Sequence, residues 1–180
     1  MSVKRLVPSA GRVVLLAGFA ALAGQYGHAA SDTGAATATV ITPITINNTV
    51  DLAFGRFSAN TGGSITVSTG GVRSKTGTLA FSTIGNVTTA ASFDIGGASN
   101  ATYTVTLPST DVTITETVGG TATMIVNTFV SAPSGTAGTL STGSGGVGAE
   151  TLLVGATLTV GSGQTPGDYT GTFSVAVEYN

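Results

Sequence analysis

From Tyr169 to Tyr179 every second residue is Tyr, Gly, Phe, Val, Val or Tyr, and shorter runs of the same rhythm recur along the chain. Period-two alternation sends successive side chains to opposite faces of a pleated strand, so one face is buried and the other wetted. Beyond the first thirty residues no segment has a convincing 3.6-residue period, which leaves an all-β fold. The pattern predicts strands near 36–46, 50–57, 64–68, 78–84, 91–95, 101–107, 111–117, 121–130, 151–159 and 168–179. Turns are expected at Asn47-Asn48, Gly62-Gly63, Gly70-Gly71, Gly96-Gly97, Gly119-Gly120 and Pro166-Gly167. Closely spaced strands with such turns build a sandwich or a barrel. Residues 131–150, rich in Gly, Ser and Thr, read as the longest loop.

The first 29 residues stand apart. Lys4, Arg5 and Arg12 form a positive region, Val13 to Gly24 an apolar core, and Gly27-His28-Ala29 a small-x-small cleavage signal. The apolar run is about half of the roughly 20 residues a membrane helix needs, so residues 1–29 read as a secretory signal peptide. Cleavage there leaves Arg56, Arg73 and Lys75 against eight acids, a net charge of −5. Three cations cannot neutralise many phosphates, which argues against nucleic-acid binding. The remaining chain contains no His, Cys or Trp. Without thiol or imidazole there is no such ligand for zinc, copper or haem, no Ser-His or Cys-His pair and no disulfide. No cofactor is therefore expected.

Three other stretches or residue sets carry a trace of chemistry. Thr142 to Val147, "TGSGGV", echoes the surroundings of some protease nucleophiles, but the base is missing. Residues 145–153, "GGVGAETLL", occur once, whereas calcium-binding nonapeptides work in tandem copies. Asp51, Asp94, Asp111, Glu116, Glu150 and Asp168 are scattered over expected strand ends and turns, where carboxylates make local backbone hydrogen bonds. The chain is read as a non-enzyme. An outer-membrane barrel needs strands of about 9–11 residues and two aromatic girdles. Several runs here are shorter, and nine aromatics remain after cleavage.

The end of the chain resembles the subunits of pili assembled by the chaperone–usher route. Phe173, Val175 and Val177 alternate, Tyr179 is penultimate, and Gly167 is fourteenth from the last residue. "DLAFGRF", residues 51–57, is similar to a stretch in the spore-coat-U-like, archaic branch of that family. It looks closer still to a secreted bacterial family of unknown function with an LxFG start and a GxYxGxFxVxVxY finish. The resemblance implies an Ig-like antiparallel β-sandwich, one domain over residues 47–180, lacking one strand and so carrying a hydrophobic groove. It implies that a periplasmic chaperone lends a strand during export and that an usher directs assembly. The N-terminal extension of a second subunit then fills the groove. Gly167, Tyr169, Gly171, Phe173, Val175, Val177 and Tyr179 would form the groove strand. Residues 30–46 would be the extension, with Ala36, Ala38, Val40, Ile44 and Ile46 as the inserted side chains.

The expected role is thus a structural subunit of a bacterial surface fibre or coat, passing through the periplasm to the cell surface. A second role remains open. The alternation phase of residues 36–46 breaks at Thr42-Pro43, and proline confines such a break to an edge or a bulge. If that segment pairs within its own sandwich, the chain is a self-complete secreted binding or matrix module.

Overall fold

The structure, a computed structural model, describes residues 29–134 and 137–180. The signal-peptide reading of residues 1–29 falls almost wholly outside them. Thirteen strands and one 3₁₀ turn make up the described secondary structure, and every ladder is antiparallel. The strands are β1 (Thr45–Val50), β2 (Phe57–Ser58), β3 (Gly63–Val67), β4 (Arg73–Lys75), β5 (Ala80–Phe81), β6 (Ala91–Ala98) and β7 (Thr102–Thr106). They continue as β8 (Val112–Glu116), β9 (Thr123–Ala132), β10 (Gly138–Thr139), β11 (Val147–Val160), β12 (Tyr169–Thr170) and β13 (Ala176–Tyr179). The expected all-β antiparallel sandwich is what forms.

The central strand is β11. Along one edge its first half pairs β6, from Val147↔Ala98 to Val154↔Ala91, and its second half pairs β3, from Ala156↔Val67 to Val160↔Gly63. Its other edge pairs β9, giving the order β1-β6-β11-β9-β8-β12, while β10-β7-β13 forms a second sheet. Inward residues of β3, β9 and β11 (Ile65, Val126, Leu158) make one core cluster, and those of β6, β7 and β11 (Ile95, Tyr103, Leu152) make another. Leu52 and Phe129 pack against both. Each fully buried aliphatic of this kind contributes about 2–3 kcal/mol.

Several local expectations are corrected. Among the described residues no strand forms before Thr45, and residues 29–41 are all exposed, Ala36, Ala38 and Val40 among them. Asn47-Asn48 is not a turn but the middle of β1, opposite Asp94 and Phe93, where an edge strand can show polar side chains to water. Gly96-Gly97 lies inside β6; a Cβ on Gly97 would collide with the Tyr179 ring, so this glycine makes room rather than turning the chain. The reversal comes later, at Asn100, whose φ of 59° suits asparagine. The long loop is shorter than expected: β9 runs to Ala132, β11 starts at Val147, and Leu140 between them is buried.

One strained residue sets the phase of β9. Thr128 has φ of 52°, in a bulge where Asn127 to Val130 oppose Thr157 to Gly155. A β-branched residue is a genuine outlier there. The bulge follows the inward Met124 and Val126 and packs Phe129 against both clusters. Thr128→Gly should raise stability by about 1 kcal/mol, since relief of strain exceeds the extra unfolded-state entropy. A higher urea midpoint at unchanged slope checks this.

Candidate functional site

The predicted strand 168–179 exists in two pieces. β12 pairs β8 through Tyr169↔Glu116 and Thr170↔Thr115, and β13 pairs β7 from Ala176↔Thr106 to Tyr179↔Tyr103. Between the two ladders the last segment has five residues, 171–175, while its neighbour has eight, 107–114. The surplus bows out around Pro108, which cannot donate to a ladder. Gly171 stays close to β8, where a Cβ would sit 2.8 Å from the Thr113 carbonyl. The last segment therefore runs as an edge strand, with β8 and β7 on one side and, among the described residues, no ladder on the other.

Its inward side chains are incompletely covered. Phe173, Val175, Val177 and Tyr179 are only half-buried, whereas Leu152 and Val154 beneath them are fully buried. Phe173 meets Phe93 edge-on at 6.2 Å between centroids and Phe129 at 5.1 Å. Two clefts, of about 790 and 500 Å³, run beside residues 164–173. Leu52, Phe54, Ile114 and Tyr169 line both. The facing wall comes from residues 48–59.

At the other end this gap closes. The Tyr179 hydroxyl donates to the Thr42 carbonyl at 2.6 Å and accepts from the Ala98 amide at 2.6 Å. β1 and β13 are in contact there, and Ile44 and Ile46 pack against the same cluster as Val175 and Val177. The N-terminal stretch 42–59 thus runs antiparallel to the last strand, touching it at Tyr179 and separated from it at Tyr169. The space between them is a wedge.

The structure brings together most of the residues expected to form the groove. Gly167, Tyr169, Gly171 and Phe173 line the clefts, while Val175, Val177 and Tyr179 lie toward the closed end. It divides the expected extension: Ala36, Ala38 and Val40 are exposed outside any strand, and Ile46 pairs Ile95 in β1. The facing wall lies outside both expected sets and is built in part by "DLAFGRF", residues 51–57.

The acids do not converge. Glu116 is buried, but its carboxylate accepts from the amides of Val118 at 2.8 Å and Gly120 at 3.3 Å and so caps its own turn. Among the described residues no group of His, Cys, Asp and Glu could hold a metal ion, and no helix is long and apolar enough to cross a membrane. Tyr103 is fully buried against Gly138, and its hydroxyl has no partner among the described residues. Desolvation, and then the nearby Glu150 charge, raise its pKa above the ordinary 10.0. The folded state therefore holds this proton more tightly than the unfolded chain. That contribution is complete below about pH 10 and is lost as pH rises through the folded pKa. Tyr103→Phe should abolish the alkaline loss and add up to about 1 kcal/mol at pH 7. Urea midpoints at pH 7 and pH 11 read both effects.

No curated protein and no solved structure matches the chain. One family profile does, over residues 44–179, from just before β1 to the end of β13. That span takes in both walls of the wedge, and with it the chain belongs to the DUF4402 family, a domain of unknown function.

Proposed function

We propose that this chain is a structural subunit of an exported bacterial surface fibre or coat, held to its neighbours by strand addition at the wedge. The observation that carries this reading is the last strand. It has one free edge, inward apolar side chains that are half-covered, and clefts of about 790 and 500 Å³ beside it. An added strand gains main-chain hydrogen bonds from the edge and places alternate side chains in the clefts. Exposed edges are normally defended by charge or by Pro. Here charge stands only at the two ends of the outward face, Asp168 and Glu178, and the residues between them, Thr170, Thr172, Ser174 and Ala176, carry none. Donation from one copy to the next is head-to-tail and generates an open filament. In this reading a periplasmic chaperone and an usher protect and deliver the subunit, which ends at the cell surface and has no catalytic role.

A second reading, the self-complete secreted module, draws on Ile46, which pairs Ile95 within the same chain. Expression in a bacterial periplasm, with and without a pilus-type chaperone, separates the two. A fibre subunit should need the chaperone for full yield and should form ladders of polymers that resist mild denaturant. A stable monomer that never polymerises, with residues 36–46 protected from hydrogen exchange, would leave only the module.

A further inference from the structure

The wedge is open over only part of the last strand, and this limits what can enter it. Both clefts lie beside residues 164–173. From Val175 onward the chain's own N-terminal stretch is already in place. β1 is held to β6 by Thr45↔Gly96 and Ile46↔Ile95, and the Thr45 hydroxyl donates to the Gly96 carbonyl at 3.3 Å. The Tyr179 hydroxyl fastens the entry to β1 through the Thr42 carbonyl. The free edge thus offers about five residues, Tyr169 to Phe173, before an incoming strand meets residues 42–46.

The N-terminal stretch divides at a matching point. Ala36, Ala38 and Val40 alternate over five residues, and all three are exposed, Val40 at 97%. The apolar series is then interrupted at Thr42-Pro43, and Ile44 and Ile46 resume it packed on the chain's own core. Residues 36–40 are thus free of the core that already holds residues 44–46.

We infer that the wedge is a half-length acceptor for residues 36–40 of a second copy, with the Tyr179–Thr42 contact as the stop that sets its length. This rests on the strand-addition reading above and specifies its occupant. Residues 44–46 stay in their own sandwich throughout assembly. The incoming side chains, two Ala and one Val, are small for clefts of about 500 and 790 Å³, so each junction is weak and enlarging a side chain strengthens it.

Peptide binding to the mature chain, followed by isothermal titration and by amide chemical shifts, tests this. The probes are residues 34–41, residues 34–47, residues 34–41 with Ala38→Leu, and an unrelated eight-residue peptide with Val at three alternate positions. The first two should bind within about twofold of each other and move the amides of 169–173 but not those of 176–179. Ala38→Leu should tighten binding about tenfold. In Tyr179→Phe the 34–47 peptide should gain about tenfold over 34–41, and the Ala98 amide, which donates to Tyr179, should exchange about tenfold faster. Tenfold tighter binding of 34–47 to the unaltered chain would mean a full-length groove and overturn the inference. Binding of the unrelated peptide alone would overturn this occupant while sparing strand addition. Failure of all four would sink strand addition and this inference together. Unchanged exchange at Ala98 in Tyr179→Phe would overturn the stop itself.

Discussion

Val177→Asp should cost about 3 kcal/mol of stability and abolish assembly. Val177 lies opposite Val105 in the β13–β7 ladder, and its side chain packs against the cluster of Ile95, Leu152 and Val154. A carboxylate there leaves water for an apolar surface that offers no cation; among the described residues Arg56, Arg73 and Lys75 are the only ones. The charged form must be desolvated without a partner, or take up a proton at a cost set by the same desolvation. The neighbouring position is the control. Ala176 is exposed on the opposite face, so Ala176→Asp should change stability by less than about 0.5 kcal/mol. If strand addition uses the free edge, the control should still assemble, weakened at most by its added charge. Urea midpoints and polymer ladders for the two variants give the comparison. Equal loss at both positions would mean that the alternation of this strand does not separate an inner face from an outer one.

That alternation was the most legible feature of the chain, because period two is a local property. The readings at 91–95, 101–107, 111–117, 121–130 and 151–159 all fall on β6, β7, β8, β9 and β11. What stayed hidden depends on partners distant in sequence. Gly97 looks like a turn residue until the Tyr179 ring arrives from 82 positions away to occupy the space of its missing Cβ. The bow around Pro108 and the bulge at Thr128 are register offsets between strands, which a single strand's own pattern cannot display. One half of the wedge, from Gly167 to Tyr179, could be read because its sequence alternates without interruption, although only its two ends form ladders. The other half could not: Leu52 and Phe54 sit between β1 and β2 in a stretch with only the isolated Ala53↔Thr89 bridge. Its shape is imposed by side chains from elsewhere.

Chief among those is Arg73. One guanidinium nitrogen donates to the carbonyls of Phe54 at 3.2 Å and Arg56 at 3.1 Å, and another donates to the carbonyl of Ser82 at 3.1 Å. The group lies 3.8 Å from the centre of the Phe81 ring. Lys75 reaches the Leu79 carbonyl and sits 5.5 Å from the same ring. Two of the three cations thus serve the short β2–β5 ladder and the wall of the larger cleft, not the surface. Arg73→Met keeps the stem and removes every donor, so the half-buried carbonyls of Phe54 and Ser82 lose this partner, while the exposed Arg56 carbonyl still accepts from the Ser82 amide at 3.0 Å. The expected loss is about 3 kcal/mol, combining charged hydrogen bonds with the ring contact. Arg73→Lys should recover less than half, because an ammonium cannot span three acceptors in one plane. Amides of residues 53–57 should exchange faster in Arg73→Met, while those of β6 and β11, which pair on their own ladder, should slow or quicken only with global stability. If strand addition needs a fixed wall at Leu52 and Phe54, this variant should also bind added strands more weakly, although Arg73 lines neither cleft. Weaker binding with unchanged exchange at 53–57 would contradict the route through the wall and point instead to direct contact by the arginine.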